Sequence, residues 1–274
     1  MTSDLATKIA DWLKTQGYPL EMEVAHIFKG AGFDVSSSEY YVDPEEQKPR
    51  EIDVLASLST QIHGLLFQVT YVVECKSPKE APWVCFRSNA NPPRDPKVGF
   101  LVRIATREGR RALIELSVNP DVTTSHLLQL PEQHAYGVTN ALREGNKDAP
   151  YGALRGATGA ARALVAYSDK AQTPPEPIGY VGILFPLVVT RAPLFTASLD
   201  SGGELKLQAV DQETVLRTGF DTEYSVVEVV TASTLAQYVD ARADLIARFL
   251  KRLPSRIPNT LQELGYANLA ADGD

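Results

Sequence analysis

The sequence predicts an α/β protein: a central mixed β-sheet flanked by helices, with a helical insertion after its third strand. Three observations predict it: two amphipathic helical segments at the start, three strand-like runs directly after them, and a later group of apolar strands reached through an Ala- and Gly-rich stretch. With 274 residues, 44% of them apolar, the chain can bury a substantial core. One elaborated domain is expected over residues 1–253, followed by a polar tail over 254–274.

The elements follow in order. "SDLATKIADWLKTQG" offers Ser3 as an N-cap, sets Leu5, Ile9, Trp12 and Leu13 on one helical stripe, and stops near Gly17. Pro19 suits the first turn of a second helix, whose apolar positions Leu20, Val24, Ile27, Phe28 and Ala31 repeat until Gly32 ends it. Glu21 and Glu23 flank that stripe, each about 80° from its centre and on opposite sides, so helical geometry leaves both open as a site carboxylate. From Phe33 the pattern turns strand-like: "FDVSSSEYYV", a turn-rich "DPEEQKP", "REIDVLASL", then "LLFQVTYVVECK", which ends at Ser77-Pro78.

Beyond residue 80 the pattern is weaker. "KVGFLVRIAT" predicts a strand, and residues 122–172 predict a helical layer through "EQHAYGVTNALREG" and "GATGAARALVAYSDK". "TPPEP" is a stiff linker into "GYVGILFPLVVT", "PLFTASL", "ELKLQAV" and "YSVVEVVT", the returning strands of about 180–231, with Ser201-Gly202-Gly203 as a turn. A closing helix over about 233–253 has Leu235, Tyr238, Val239, Ile246 and Phe249 on its buried side.

Several classes are disfavoured. The first fifteen residues lack a basic start and a continuous apolar run, so no signal peptide is expected. The longest apolar stretch, "YVGILFPLVV", is about half of the roughly 20 residues a spanning helix needs and is interrupted by Pro186, so no membrane partner is expected. Cys75 and Cys85 cannot form a tetrahedral zinc site alone, and a reducing cytoplasm is the simplest setting. The net charge of −7 argues against a protein that coats nucleic acid by charge. A local basic run, Arg94, Lys97, Arg103, Arg107, Arg110 and Arg111, reads first as a solvated face.

The charges inside the second and third strands carry the functional signal. Alternation puts Glu51, Asp53 and Leu55 on one face opposite Ile52 and Val54, and makes Glu74 and Lys76 neighbours on one face of the next strand. Antiparallel pairing of the two strands brings Asp53 towards Glu74, and two carboxylates about 5 Å apart repel unless a cation lies between them. A hard divalent ion held by carboxylates, water and phosphate describes a magnesium site, and a lysine beside it can orient an attacking water. The Glu-x-Lys pattern is short and recurs as Asp95-Pro96-Lys97, Glu46-Gln47-Lys48 and Glu204-Leu205-Lys206. Only Glu74 and Lys76 close a long apolar strand that follows a strand bearing Asp53.

A helix with Glu, a hairpin with Asp on its second strand, and a strand ending Glu-x-Lys resembles the PD-(D/E)XK nuclease superfamily, the restriction-endonuclease-like fold, over residues 18–78. "LEMEVAHIFKGAGFDV" looks like the first helix and strand of Mrr-like enzymes and archaeal Holliday-junction resolvases. That resemblance implies Glu21 as the helix carboxylate, because Gly32-Phe33 follows it at the matching interval, with Glu23 in reserve. It implies Asp53 of "REID" and Glu74 of "ECK" as further metal ligands and Lys76 near the water, with Ile52 standing where the family motif has proline. The implied activity is Mg2+-dependent phosphodiester hydrolysis, with Mn2+ as a substitute, on nucleic acid and DNA first, in restriction, phage defence or repair. Two chains are expected where both strands of a duplex are cut.

Other residues admit rival roles. Trp83, Phe86 and Arg87, with Arg94 and Lys97 beyond, could form a stacking and phosphate-contacting loop, although packing is the simpler role for Trp83. His26 and His63 lie near these charges in sequence and could contact phosphate, although a surface or hydrogen-bonded role is the simpler one; His126 and His134, eight apart, are too widely spaced for a metal-binding pair on a helix; and Cys75 belongs to the core. The alternative from a different class is a catalytically silent binding module of a larger assembly, with a protein partner. A phosphoesterase acting on a small nucleotide is the third reading. No glycine-rich phosphate loop of the GxxxxGK[ST] type appears.

Overall fold

The fold is that of a computed structural model, which describes residues 2–13, 16–44, 46–62, 65–77, 81–88, 97–118, 126–142, 149–171, 180–218 and 224–253. The expected polar tail, the "TPPEP" linker, His63 and Arg94 lie outside these residues. Helices α1 (Thr2–Leu13) and α2 (Tyr18–Gly30) precede a meander of β1 (Asp34–Val42), β2 (Pro49–Ile62) and β3 (Leu65–Lys76). Next come β4 (Trp83–Arg87), α3 (Val98–Leu101), β5 (Ile104–Ala105), α4 (Arg107–Ser117), β6 (Ala135–Asn140) and the long α5 (Ala149–Ala171). Strands β7 (Tyr180–Thr190), β8 (Leu194–Leu199), β9 (Leu205–Val210), β10 (Gln212–Thr218) and β11 (Tyr224–Thr231) follow, and α6 (Leu235–Arg252) closes the described chain.

Among the described residues the strands join one mixed sheet in the order β1-β2-β3-β7-β11-β10-β6-β4-β8-β9, with β5 beside β7. The meander pairs antiparallel, whereas β3 and β7 run parallel from Leu66–Tyr180 to Lys76–Thr190. Strand β7 is central and buried along almost its whole length, yet it contains Pro186. On the side away from β3, β7 pairs with β5 at Ile183 and Leu184 and with β11 from Leu187 onward. Pro186 therefore falls in the gap between two partners, where its missing N–H breaks no ladder.

Helices cover both faces. Leu20, Val24 and Phe28 of α2, Leu113 and Leu116 of α4, and Val239, Ile246 and Phe249 of α6 share a core with Tyr71, Val73 and Phe185. On the other face α5 lays Ala160, Ala161 and Ala163 against Ile52, Val72 and Leu184, and Ala153, Leu154 and Ala157 against Trp83, Val188 and Val229. Its small residues let the helix lie close to the sheet. The first helix behaves differently, because Leu5, Ile9 and Trp12 of its apolar stripe stay exposed.

Three expectations need correction. "KVGFLVRIAT" is a short helix, α3, followed by the two-residue β5, because Gly99 approaches the Leu128 carbonyl so closely that a Cβ would stand 2.2 Å from it. "EQHAYGVTNALREG" contains strand β6 rather than a helix, held between β10 and β4. The stacking loop at Trp83 to Arg87 is strand β4, with Trp83 fully buried. In each case a partner distant in sequence overrides local pattern.

Candidate active site

The chemistry gathers where β2 and β3 part company. In β3, Tyr71, Val73 and Cys75 enter the α2 core, while Val72 meets the alanines of α5. Glu74 is in phase with Val72 and reaches α5 at Gly156, where an added Cβ would stand 3.0 Å from Glu74 Oε2. Lys76, two residues on, donates from Nζ to Glu74 Oε1. Alternation thus sets acid and lysine together, as the sequence pattern implied.

Asp53 is placed by an irregularity that alternation does not foresee. The β2–β3 ladder ends at Val54–Val73, one step before the position that would set Asp53 against Glu74. There the Cys75 N–H donates to Asp53 Oδ2 at 2.6 Å. Ile52 and Val54, expected on one face, belong to different cores: Ile52 packs with Val72 and α5, Val54 with Phe28 and Tyr71. The strand rolls between them. Across from Asp53, Ser38 of β1 takes a positive φ of 58° between the pairs Ser37–Val54 and Glu39–Ile52. Backbone departures on two neighbouring strands at one level mark a place where the pleat yields to a side chain.

The third carboxylate comes from the opposite helix layer. Glu21 lies in the first turn of α2, one position after the buried Leu20, with its Oε1 3.2 Å from where a Cβ on Gly17 would stand. Burial, then the charges of Asp53, Glu51 and Glu74, push its pKa up to about 7 against the opposing pull of Lys76. Glu23 is engaged elsewhere, accepting from Arg191 Nη2 at 2.7 Å. Of the two carboxylates that helical geometry left open, Glu21 shares the field of Asp53 and Glu74.

Burial raises the carboxyls of Asp53 and Glu74 as well, with the Cys75 N–H and Lys76 opposing it at Asp53 and Lys76 opposing it at Glu74. For Lys76, burial works against the charge, but Glu74 and Asp53 outweigh it and the net shift is upward. The lysine is therefore held as a cation. Burial pushes the Cys75 thiol well up, consistent with a core role. Among the described residues no three His, Cys, Asp or Glu side chains stand close enough together to hold an ion. Glu74 is turned to Lys76, and Asp53 to the Cys75 N–H.

Around this cluster lie basic groups that the sequence reading passed over. Arg50 pairs with Asp43 at 2.8 Å and Glu46 at 3.0 Å, and Arg155 of α5 meets the same Glu46. The Arg191 backbone N–H donates to the Lys76 carbonyl at 3.1 Å. By contrast, Arg87 sits in β4, several strands from the cluster, with its guanidinium on Glu213 at 2.7 Å and Gln133 at 2.9 Å. Lys97 is exposed at the start of α3. The basic run of that region is not one face: Arg103 is buried over the Phe185 ring, while Arg107 and Arg111 both reach Glu108. His26 is exposed, and His126 contacts Gln129.

No protein-family model matches the sequence, and no curated protein and no solved structure matches it either. Of the residues missed by sequence reasoning, Gly156 of α5 and Arg191 at the end of β7 join the cluster from more than eighty positions beyond Glu74, and Arg155 beside Gly156 reaches Glu46. The local hint, Gly152, Gly156 and Gly159 within an alanine-rich helix, does not single out Gly156. Among the described residues no helix is long and apolar enough to cross a membrane.

Proposed function

We propose that this chain is a metal-dependent nuclease of the PD-(D/E)XK type, hydrolysing phosphodiester bonds in nucleic acid, DNA first, with Mg2+ as cofactor and Mn2+ as substitute. The observation that carries the reading is the placement of Asp53 and Glu74 where the β2–β3 ladder ends, with Lys76 donating to Glu74 and kept charged, and with Glu21 of α2 feeling the charges of both acids. The arrangement of α2, β1, β2 and β3, with α5 packed over the returning parallel β7, supports it as a core of the expected kind.

Carboxylate oxygens are the donor type that a hard divalent ion takes, although as they stand the three are not close enough together to hold one. Burial opposes the ionisation of all three, and the charge of Asp53 adds to it at Glu21 and Glu74, so a bound cation would favour their charged forms, and oxygen ligands of this kind suit magnesium. Glu21, Asp53 and Glu74 would hold it, and when bound it supplies a Lewis acid and lowers the pKa of a coordinated water. Lys76 positions the attacking water and offsets charge that builds on the phosphate. Asp53 keeps its place through the Cys75 N–H, leaving its second oxygen for other work.

The test is cleavage of labelled single- and double-stranded DNA and RNA with Mg2+, Mn2+ or chelator. Cleavage is expected with metal only, falling at least about a hundredfold in both Glu74→Ala and Lys76→Ala. A catalytically silent binding module is the second reading, favoured by the closed Lys76–Glu74 ion pair. Absence of cleavage on every substrate, with metal binding unchanged in Glu74→Ala, would move the conclusion to it.

A further inference from the structure

Next to the carboxylate cluster lies a cleft of about 700 Å3 with a different chemistry. Its floor is the carboxyl end of two parallel strands, Thr190 of β7 and Thr231 of β11, which pair in register. Thr190 also pairs with Lys76 across the β3–β7 ladder, so the cleft begins one strand from the proposed catalytic lysine. Arg191 and Glu23 stand where the two meet: their ion pair lines the cleft, and the Arg191 backbone is bonded to Lys76. Ligand sites in open α/β sheets favour the carboxyl ends of strands.

The lining identifies the class of occupant. Phe195, half-buried, lines it with an aromatic ring; Ser233 offers an exposed hydroxyl, 3.1 Å from that of Thr231, which also meets Thr234 at 3.0 Å; Asp211 offers a carboxylate, as does Glu23 with its other oxygen paired to Arg191; Arg191 is its guanidinium. Two carboxylates make a poor track for a phosphodiester backbone. They suit the N–H donors of a base edge, which an aromatic ring beside them can stack. One guanidinium at the cluster end suits one phosphate. The volume lies within the roughly 300–1,000 Å3 of small-molecule sites, too small for a duplex, whose major groove alone is about 12 Å wide.

We infer that this cleft takes an unpaired nucleotide flanking the scissile phosphate, stacked on Phe195 with its base edge towards Glu23, Asp211 and the Thr231–Ser233 hydroxyls and its phosphate at Arg191. The inference rests on the nuclease reading and narrows its substrate to nucleic acid with unpaired residues beside the cut: a single strand, a flap, a gap or an extruded base.

Binding by the Lys76→Ala protein in chelator separates the two questions, with a short labelled single strand, a gapped duplex and a blunt duplex of the same sequence as probes. The unpaired probes are expected to bind about tenfold tighter than the blunt duplex, the scale of one base–aromatic stack. Phe195→Ala, and Ser233→Tyr, which fills the cleft from an exposed position, should each abolish that preference and leave blunt-duplex binding unchanged. Equal binding of all probes, or a loss shared by all of them, overturns the assignment. If the preference and its loss in both variants are seen while wild-type protein cleaves nothing with Mg2+ or Mn2+, the nuclease reading fails and the cleft stands. Cleavage of single strands undiminished in Ser233→Tyr overturns the cleft and keeps the nuclease.

Discussion

Glu21 shows how one side chain registers the whole cluster. Its carboxyl is partly buried and faces the charges of Asp53, Glu51 and Glu74, which together push its pKa from 4.5 up to about 7. The folded protein thus holds this proton more tightly than the unfolded chain does. Between those two values unfolding releases a proton, so stability falls as pH rises from about 4.5 to 7. In metal-free protein the melting temperature should decline across that window, and Glu21→Gln should flatten the decline. Asp53 and Glu74 are shifted in the same direction, so part of the slope will remain. An unchanged slope in the variant would remove Glu21 from the cluster. Glu23, which the helical wheel could not separate from Glu21, is turned instead to Arg191, a partner 168 positions away in sequence.

At the scale of elements, the site depends on a helix lying close to a strand. Helix α5 approaches β3 through Gly156, and that glycine leaves room for the Glu74 carboxylate. Replacing it with alanine sets two effects against each other. An alanine in a helix interior is worth about 0.5–1 kcal/mol over glycine, whereas its Cβ would press on the flexible end of Glu74. Gly156→Ala is therefore expected to keep or raise the melting temperature while metal-dependent cleavage drops about tenfold; full activity would show that Glu74 tolerates displacement. Strand β2 contributes in another way. Its roll between Ile52 and Val54 turns Asp53 towards β3, so groups from both helix layers can act on one centre. A regular strand would have shown Asp53 to one layer alone.

Across the whole molecule the parallel pair β3–β7 is the spine. Strand β7 supplies the partner of β3 along the full run from Leu66 to Lys76, and its far end forms the cleft floor beside Lys76. A fragment ending at residue 172 would retain all four proposed site residues but leave β3 with an unpaired edge and the core on the α2 face without β7, β11 and α6. It should lack a cooperative melting transition and bind a hydrophobic dye, as loosely packed states do. A sharp transition from that fragment would contradict the single-sheet account.

The sequence by itself determined the first part of the fold and named the residues of the candidate site. Helical spacing gives α1 and α2, period-two alternation and turn residues give β1 to β3, and the charged residues interrupting β2 and β3 name Asp53, Glu74 and Lys76. These signals are legible because they are local, set by which residues share a face within one element. The tertiary structure decided what no local pattern contains. It chose Glu21 over Glu23 as the carboxylate in the field of Asp53, turned Asp53 into the gap between strands, made β6 a strand and Trp83 a core residue, and brought Gly156 and Arg191 to the cluster. Each of those outcomes depends on partners far apart in sequence meeting across a sheet or between layers. Long-range pairing and packing, rather than local propensity, set them.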